Sequence, residues 1–160
     1  MKLVAIDVQG FHINSKFVPK EVSVKCSDQI LHLLIKSPVP FEELSISDKK
    51  HVRFLEARHH GLSYSSGHIC IEDIPSILEK YLVTADFIYV KGHQKVEFAR
   101  DILNGQFLGK IVNVETCENP PKFELDFPMC LHHHFNDRKV MCSLRNVELL
   151  YGWLFNILPQ

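Results

Sequence analysis

Residues 3–11, LVAIDVQGF, form an almost unbroken apolar run, and this run constrains the fold more than any other part of the chain. It is rich in residues that favour strands, and polar and apolar positions alternate little along it. A strand of this kind is buried on both faces, so it lies inside a sheet that other elements cover on both sides. One acid, Asp7, interrupts the run. The feature predicts an α/β domain with a central first strand.

The segments that follow predict the order of the remaining elements. Residues 17–26 and 29–38 are strand-like and follow at hairpin spacing, so the first three strands are expected to form an antiparallel meander. Helices are predicted within 41–60, with Ser47 as N-cap, and over 74–82, 94–103 and 141–158, with strands at 85–92 and 110–117 and a loop over 118–128. This order predicts a mixed sheet, three antiparallel strands and then alternating helices and strands, with helices on both faces.

Length and composition restrict the class of protein. The 160 residues suit a single domain, 1–160. No apolar run approaches the roughly 18 residues of a membrane span, so no membrane partner is expected. Five cysteines are an odd number, and without a secretory signal they predict an intracellular protein, cytoplasmic or nuclear, rather than a disulfide framework. Eighteen basic and nineteen acidic residues nearly balance, so the overall charge does not indicate nucleic-acid binding. A local basic groove is still compatible with this balance.

Short segments along this order resemble the motifs of the DEDDh 3′–5′ exonucleases, whose fold is ribonuclease-H-like. The matching positions are Asp7-Val8-Gln9 on the first strand, His60-Gly61-Leu62-Ser63 after the first helix, Glu97 after the fourth strand, and Met141 with Asn146 at the start of the last helix. The resemblance covers nearly the whole chain in order. It implies a single DEDDh-exonuclease-like domain with a ribonuclease-H-like mixed sheet.

The resemblance also implies a damaged catalytic set. These exonucleases clamp two divalent metal ions with four carboxylates, and a histidine handles the proton of the attacking water. Here Asp7 and Glu97 are the acids, while Gln9 and Asn146 are neutral amides and Met141 cannot act as a base. The set predicts a domain without two-metal catalysis. The alternative is an active exonuclease, or another RNA nuclease, that depends on Mg²⁺ or Mn²⁺.

A cysteine–histidine pattern in the last third predicts a structural zinc site. Cys117, Cys130, His133 and Cys142 follow the spacing C-x12-C-x2-H-x8-C. Thiolate and imidazole suit tetrahedral zinc, and four such ligands form a closed structural site. Two assignments stay open at this point. His132 and His134 compete with His133, and Glu115 or Glu118 can replace Cys117.

The segment from Cys130 through His133 to Cys142 and the residues after it resembles the MAEL domain of the Maelstrom family, which belongs to the piRNA pathway. That domain is a DEDDh-like fold without its acids, and it carries a Glu-Cys-His-Cys zinc set. The resemblance implies a structural zinc ion and a place in small-RNA silencing. This chain departs from the pattern at the first ligand if Cys117 takes the place of the glutamate. If Glu118 is the first ligand, the glutamate of the pattern is retained.

Three basic residues gather between the fourth strand and its helix, at Lys91, Lys95 and Arg100. Exonucleases of this class approach the substrate backbone there, so these side chains are candidates for phosphate contacts. The expected function is a degenerate exonuclease-fold domain that binds RNA, another single-stranded nucleic acid or a protein partner. A pure protein-interaction scaffold is the further alternative.

Overall fold

The computed structural model describes residues 1–106, 110–123, 130–134 and 140–157, and this part of the chain contains five strands and four α-helices. In chain order they are β1 (Leu3–Ile13), β2 (Lys16–Cys26), β3 (Gln29–Leu34), α1 (Ile46–Arg58), α2 (Ile74–Leu82), β4 (Phe87–Val90), α3 (His93–Ile102), β5 (Ile111–Asn113) and α4 (Ser143–Ile157). The predicted element order is confirmed. The expected helix end at Leu158 and positions 124–128 of the expected loop lie outside the described residues.

The strands form one mixed sheet in the order β3-β2-β1-β4-β5. β1 pairs antiparallel with β2, and β2 pairs antiparallel with β3, as the hairpin spacing predicts. β4 and β5 run parallel to β1, because a helix connects each of them to the preceding strand. The chain is therefore an α/β domain with β1 at the centre of its sheet.

Both faces of β1 are buried because helices cover the sheet on both sides. Val4, Ile6 and Val8 belong to the core under α2 and α3. Ala5, which points to the opposite face, packs with Val147 and Leu150 of α4. The alternating direction of side chains along a strand explains why an almost continuous apolar run was needed here.

Helix boundaries mostly follow the local signals of the sequence. α2 has its expected bounds, with Pro75 in its first turn. The prediction of Ser47 as N-cap of α1 is wrong, because Ser45 caps the helix by accepting a hydrogen bond of 3.0 Å from the Asp48 backbone N–H. Within the described residues, no helix combines the length and apolar character needed to cross a membrane.

A β-bulge in the β1–β2 pair determines which side chains of β2 face α4. The pairing shifts by one residue between Gln9 and Gly10, so Lys20 is the extra residue on β2. Beyond the bulge Gln9 lies opposite Glu21 and Asp7 lies opposite Ser23. Paired residues share a face, so the bulge brings Glu21 to the face covered by α4.

Candidate functional site

Four residues form a compact group under the start of α4. Glu21, Cys130, His133 and Cys142 each offer one ligand atom, and these atoms all lie within 4.8 Å of one another. Glu21, His133 and Cys142 are buried, and Cys130 is partly exposed. A carboxylate, an imidazole and two thiols at this separation can hold a metal ion. We call this group the metal cluster.

Glu21 is held with one oxygen directed into the metal cluster. Its Oε1 accepts a hydrogen bond of 2.7 Å from the backbone N–H of Ser143 at the start of α4. Its Oε2 lies 2.9 Å from His133 Nε2 and 3.2 Å from Cys130 Sγ. The bulge in β2 sets the face on which Glu21 lies, and the N-terminus of α4 holds its Oε1. Oε2 is therefore the oxygen available to a metal ion.

His133 is oriented by the segment that follows α1. Its Nδ1 donates to the backbone carbonyl of His60, which leaves Nε2 directed towards Glu21. The backbone N–H of His134 donates to Gly61 O at 2.6 Å, and Leu62 forms a bridge with His133. Such a backbone partner on the second ring nitrogen is the usual way to orient a ligating histidine.

Gly61 has a structural reason to be glycine at this contact. Its φ is +66°, and a Cβ there would collide with the carbonyl oxygen of His134. The expected His60-Gly61-Leu62-Ser63 segment thus serves to dock the loop that carries His133. His60 itself is buried, where desolvation lowers its pKa to about 4, and it accepts at Nδ1 from the Leu62 N–H while Nε2 donates to Gly10 O.

The metal cluster combines acidic groups of lowered pKa with a basic histidine. A hydrogen bond from Cys130, together with His133 and the Arg145 backbone N–H, lowers the pKa of Cys142 to about 4. Desolvation opposes ionisation of Glu21, but hydrogen bonds from His133 and His32 outweigh it and hold its pKa well below the usual range. The pKa of Cys130 is raised, chiefly by its hydrogen bond to Cys142. Desolvation opposes protonation of His133, but its hydrogen bonds with Cys142 and Glu21 outweigh this and raise its pKa to about 10. Two anionic groups and one imidazolium therefore face a common centre, and a metal ion bound there would replace the imidazolium proton.

The metal cluster differs from the expected ligand set at one of its four positions. Cys130, His133 and Cys142 come together as the spacing predicts, and of the three consecutive histidines it is His133 that joins them. Glu21 takes the place expected for Cys117. Cys117 instead packs against the apolar cluster that contains Tyr89, on the β4–β5 side of the sheet. Neither Glu115 nor Glu118 belongs to the group.

This correction gives a simple expectation for Cys117. A Cys117→Ala variant should bind as much metal as the unchanged protein and lose less than about 1.5 kcal/mol of stability, since it removes one half-buried sulfur from an apolar surface. Elemental analysis after desalting checks the metal content, and urea unfolding checks the stability. Glu21→Ala is the matched comparison and should lose the metal. Loss of metal from Cys117→Ala with retention in Glu21→Ala would contradict the ligand set.

Asp7 is the second centre of buried polar contacts. It is fully buried on β1, and its Oδ2 accepts hydrogen bonds from Gln9 Nε2 at 2.9 Å and Asn146 Nδ2 at 2.8 Å. Lys95 Nζ lies 3.1 Å from Oδ1. Desolvation raises the pKa of Asp7, and the positive charge of Lys95 and the two amide donors oppose this shift. Oδ2 is thus satisfied by two amide donors, whereas Oδ1 has the ion pair with Lys95 alone.

The chain matches no protein-family model, and no curated protein or solved structure is significantly similar to it.

Four positions correspond to the carboxylates of the exonucleases. Asp7, Gln9 and Asn146 meet, but Glu97 has no contact with Asp7 among the described hydrogen bonds and ion pairs. Glu97 pairs with Arg100 at 2.7 Å and with His93 at 3.8 Å on the outer side of α3. The helix turns Lys95 towards Asp7 in its place. Glu97 is therefore engaged by basic residues of its own helix.

The expected nucleic-acid residues separate into three environments. Lys95 is engaged by Asp7, and its side chain is only 15% exposed. Arg100 is neutralised by Glu97. Lys91 forms no ion pair within the described ranges, and its Nζ lies 4.6 Å from the ring centroid of Phe123. These three basic residues do not form one continuous free patch.

A cleft of about 270 Å³ opens beside the Asp7–Lys95 pair. Its walls are Lys91, Lys95, Glu115, Phe123 and Met141. Met141 thus reaches this cleft, where a thioether can neither accept nor deliver a proton in hydrolysis. The cleft combines an ammonium group with an aromatic ring, which is a combination that serves single-stranded nucleic acids. We call it the Lys91 cleft.

Proposed function

We propose that this chain is a ribonuclease-H-like domain that has lost two-metal catalysis and binds single-stranded RNA. The observation that carries the proposal is the closed environment of Asp7. A carboxylate that ligates magnesium needs free lone pairs and further oxygen ligands around an octahedral ion. Asp7 instead faces two amide N–H donors and the ammonium of Lys95. Lys95 supplies positive charge where the exonucleases place metal ions.

The sheet supports the fold part of the proposal. Three antiparallel strands are followed by two strands parallel to β1, with helices on both faces, which is the arrangement that the resemblance to DEDDh exonucleases implies. Asp7 on β1 and Asn146 on α4 come together as that fold requires. These contacts join the first and last elements of the chain at one site.

We further propose that the metal cluster holds a structural zinc ion. Two thiols and an imidazole favour zinc over magnesium or calcium, and four protein ligands leave no open position for catalysis. Along the chain the ligand types run Glu21, Cys130, His133, Cys142. This Glu-Cys-His-Cys order is the one that the resemblance to the Maelstrom domain implies, and it supports a place in small-RNA silencing.

RNA would bind through the Lys91 cleft. Lys91 forms no described ion pair, and its ammonium lies against the ring of Phe123, which leaves the other face of that ring for a base. Glu115 lines the same cleft without pairing with Lys91. Phosphate contacts of this kind bind without reading sequence, and base stacking on an aromatic ring tolerates any base. The proposed ligand is therefore single-stranded RNA with little sequence preference.

The test is retention and integrity of labelled single-stranded RNA in the same reactions, with Mg²⁺ or Mn²⁺ present. The unchanged protein should retain RNA at low salt and leave it intact. Lys91→Glu should weaken retention of all sequences alike and reduce the salt slope by about 0.7, since one phosphate contact is lost on a single strand. Lys80→Glu, an equal charge change on the exposed side of α2, is the matched control.

Three outcomes would contradict the proposal. Metal-dependent degradation that disappears in Asp7→Ala would promote the nuclease alternative. Absence of retention at low salt would remove the RNA-binding part and favour a protein partner. Equal weakening by Lys91→Glu and Lys80→Glu would place the RNA elsewhere on the surface.

A further inference from the structure

One histidine outside the metal cluster contacts it directly. His32 lies on β3 opposite Ser23 of β2, on the same face as Glu21. Its Nε2 lies 3.0 Å from Glu21 Oε2, and its side chain is 19% exposed. The ring packs beside His132, with 5.7 Å between the ring centroids, in the same loop that carries Cys130 and His133. His32 therefore joins the edge of the sheet to the metal-cluster loop.

The direction of this hydrogen bond follows from the chemistry of Glu21. Glu21 binds a metal ion as a carboxylate, because carboxyl ligands must be deprotonated to coordinate a metal. A carboxylate has no hydrogen to donate. His32 must therefore carry a hydrogen on Nε2 and donate it to Glu21 Oε2.

A bound metal ion would replace some of the hydrogen bonds to Glu21 and leave others in place. His133 Nε2 and Cys130 Sγ also lie close to Oε2, but both are ligand atoms and would turn their lone pairs to the ion. His32 Nε2 already carries hydrogen and is not part of the four-residue group. Its hydrogen bond to Oε2 is compatible with a metal ion on the second lone pair of that oxygen.

We propose that His32 is a positioning residue for the metal cluster, which holds Glu21 Oε2 towards the ion through its Nε2–H. This inference rests on the proposed zinc centre. Carboxylate ligands of metal ions are commonly hydrogen-bonded in turn, and loss of such a partner costs about 10–100-fold in metal affinity. Ser143 N–H fixes the other oxygen of Glu21, so both oxygens are then held by groups that do not bind the ion.

The experiment measures zinc affinity by competition with a chelator, and the visible absorption of the cobalt-substituted protein. His32→Ala should bind zinc about 10–100-fold more weakly at unchanged stoichiometry. His32→Gln keeps an N–H donor on a side chain of similar reach and should recover most of the affinity. His68→Ala, which removes an exposed histidine away from the cluster, is the matched control and should equal the unchanged protein. The cobalt spectrum should keep the tetrahedral intensity of two thiolates in each variant.

The outcomes separate this inference from the zinc proposal. If the unchanged protein takes up neither zinc nor cobalt, the metal centre itself is refuted. If it binds zinc and His32→Ala binds equally tightly, only the role of His32 is refuted. If His32→Gln loses as much affinity as His32→Ala and both change the cobalt spectrum while Glu21→Ala does not, His32 is a ligand in place of Glu21. The spectrum also distinguishes a changed site from an unfolded chain.

Discussion

A Cys142→Ala variant is expected to contain no stoichiometric zinc and to lose more than about 4 kcal/mol of unfolding free energy. Cys142 is fully buried and directly precedes α4. A zinc ion at the metal cluster would connect α4 to Glu21 of β2 and to the loop of Cys130 and His133. Metal binding and folding are coupled in such sites, because the unfolded chain does not hold the ligands together. Elemental analysis and urea unfolding measure the two effects.

The control for this expectation is another buried cysteine. Cys26→Ala removes a thiol that lies in the core under α2 and α3, away from the metal cluster. It should retain zinc and lose about 1–2 kcal/mol from the small cavity. Addition of a strong chelator to the unchanged protein should lower its stability as the Cys142 substitution does, and should have little effect on Cys142→Ala. A Cys142→Ala protein that unfolds at the same urea concentration as the unchanged protein would refute the metal centre.

The sequence predicted the elements well because its local signals agree with their final positions. The apolar run of β1 required cover on both faces, and α4 and α2 with α3 provide it. Hairpin spacing gave the antiparallel pairs, and the helices between the later strands gave the parallel ones. These signals depend on neighbours a few residues apart, which is what a sequence pattern can reveal.

Glu21 was missed because its position depends on the bulge. In an unbroken hairpin Lys20 would pair with Gln9, and Glu21 would pair with Val8 and face α2 and α3. The single extra residue reverses this and brings Glu21 under α4. Two residues are local signs of the irregularity: Gly10, where an added Cβ would collide with Val18 O, and Pro19, a proline inside an internal strand. A glycine inside a strand pattern indicates a bulge only weakly, so the fourth ligand was sought near Cys117 instead.

The role of Lys95 had a signal in the sequence. Lys95 precedes Phe98, Ala99 and Ile102 by three, four and seven residues, and those three residues are the buried side of α3. This spacing places Lys95 on the inner face of the helix. A lysine there needs a buried acid as partner, and Asp7 is the acid inside β1. The pair was not predicted because the position was interpreted as part of a phosphate-binding surface.

The Asp7–Lys95 pair gives the second large expected effect. Lys95→Met keeps most of the volume of the side chain but removes its charge, and it leaves a fully buried carboxylate with amide donors alone. Removing one partner of a buried ion pair costs about 3–5 kcal/mol. Urea unfolding at pH 7 should show a loss of this size. Lys91→Met, an identical change in the Lys91 cleft at a residue without a described ion pair, should cost less than about 1 kcal/mol.

A double variant and the pH dependence of stability can distinguish loss of the ion pair from loss of packing around Lys95. The double variant Asp7→Asn with Lys95→Met leaves no buried charge, so it should regain much of the lost stability.

Lys95 lowers the pKa of Asp7 against the effect of burial, so its removal raises that pKa further above the unfolded value. A raised folded-state pKa stabilises the protein on the acid side and loses that contribution as the pH rises through it. The deficit of Lys95→Met relative to the double variant should therefore shrink as the pH falls from 7 towards 5. If the double variant is no more stable than Lys95→Met at pH 7, and the difference between the two does not change with pH, then Lys95 and Asp7 do not act as a buried ion pair.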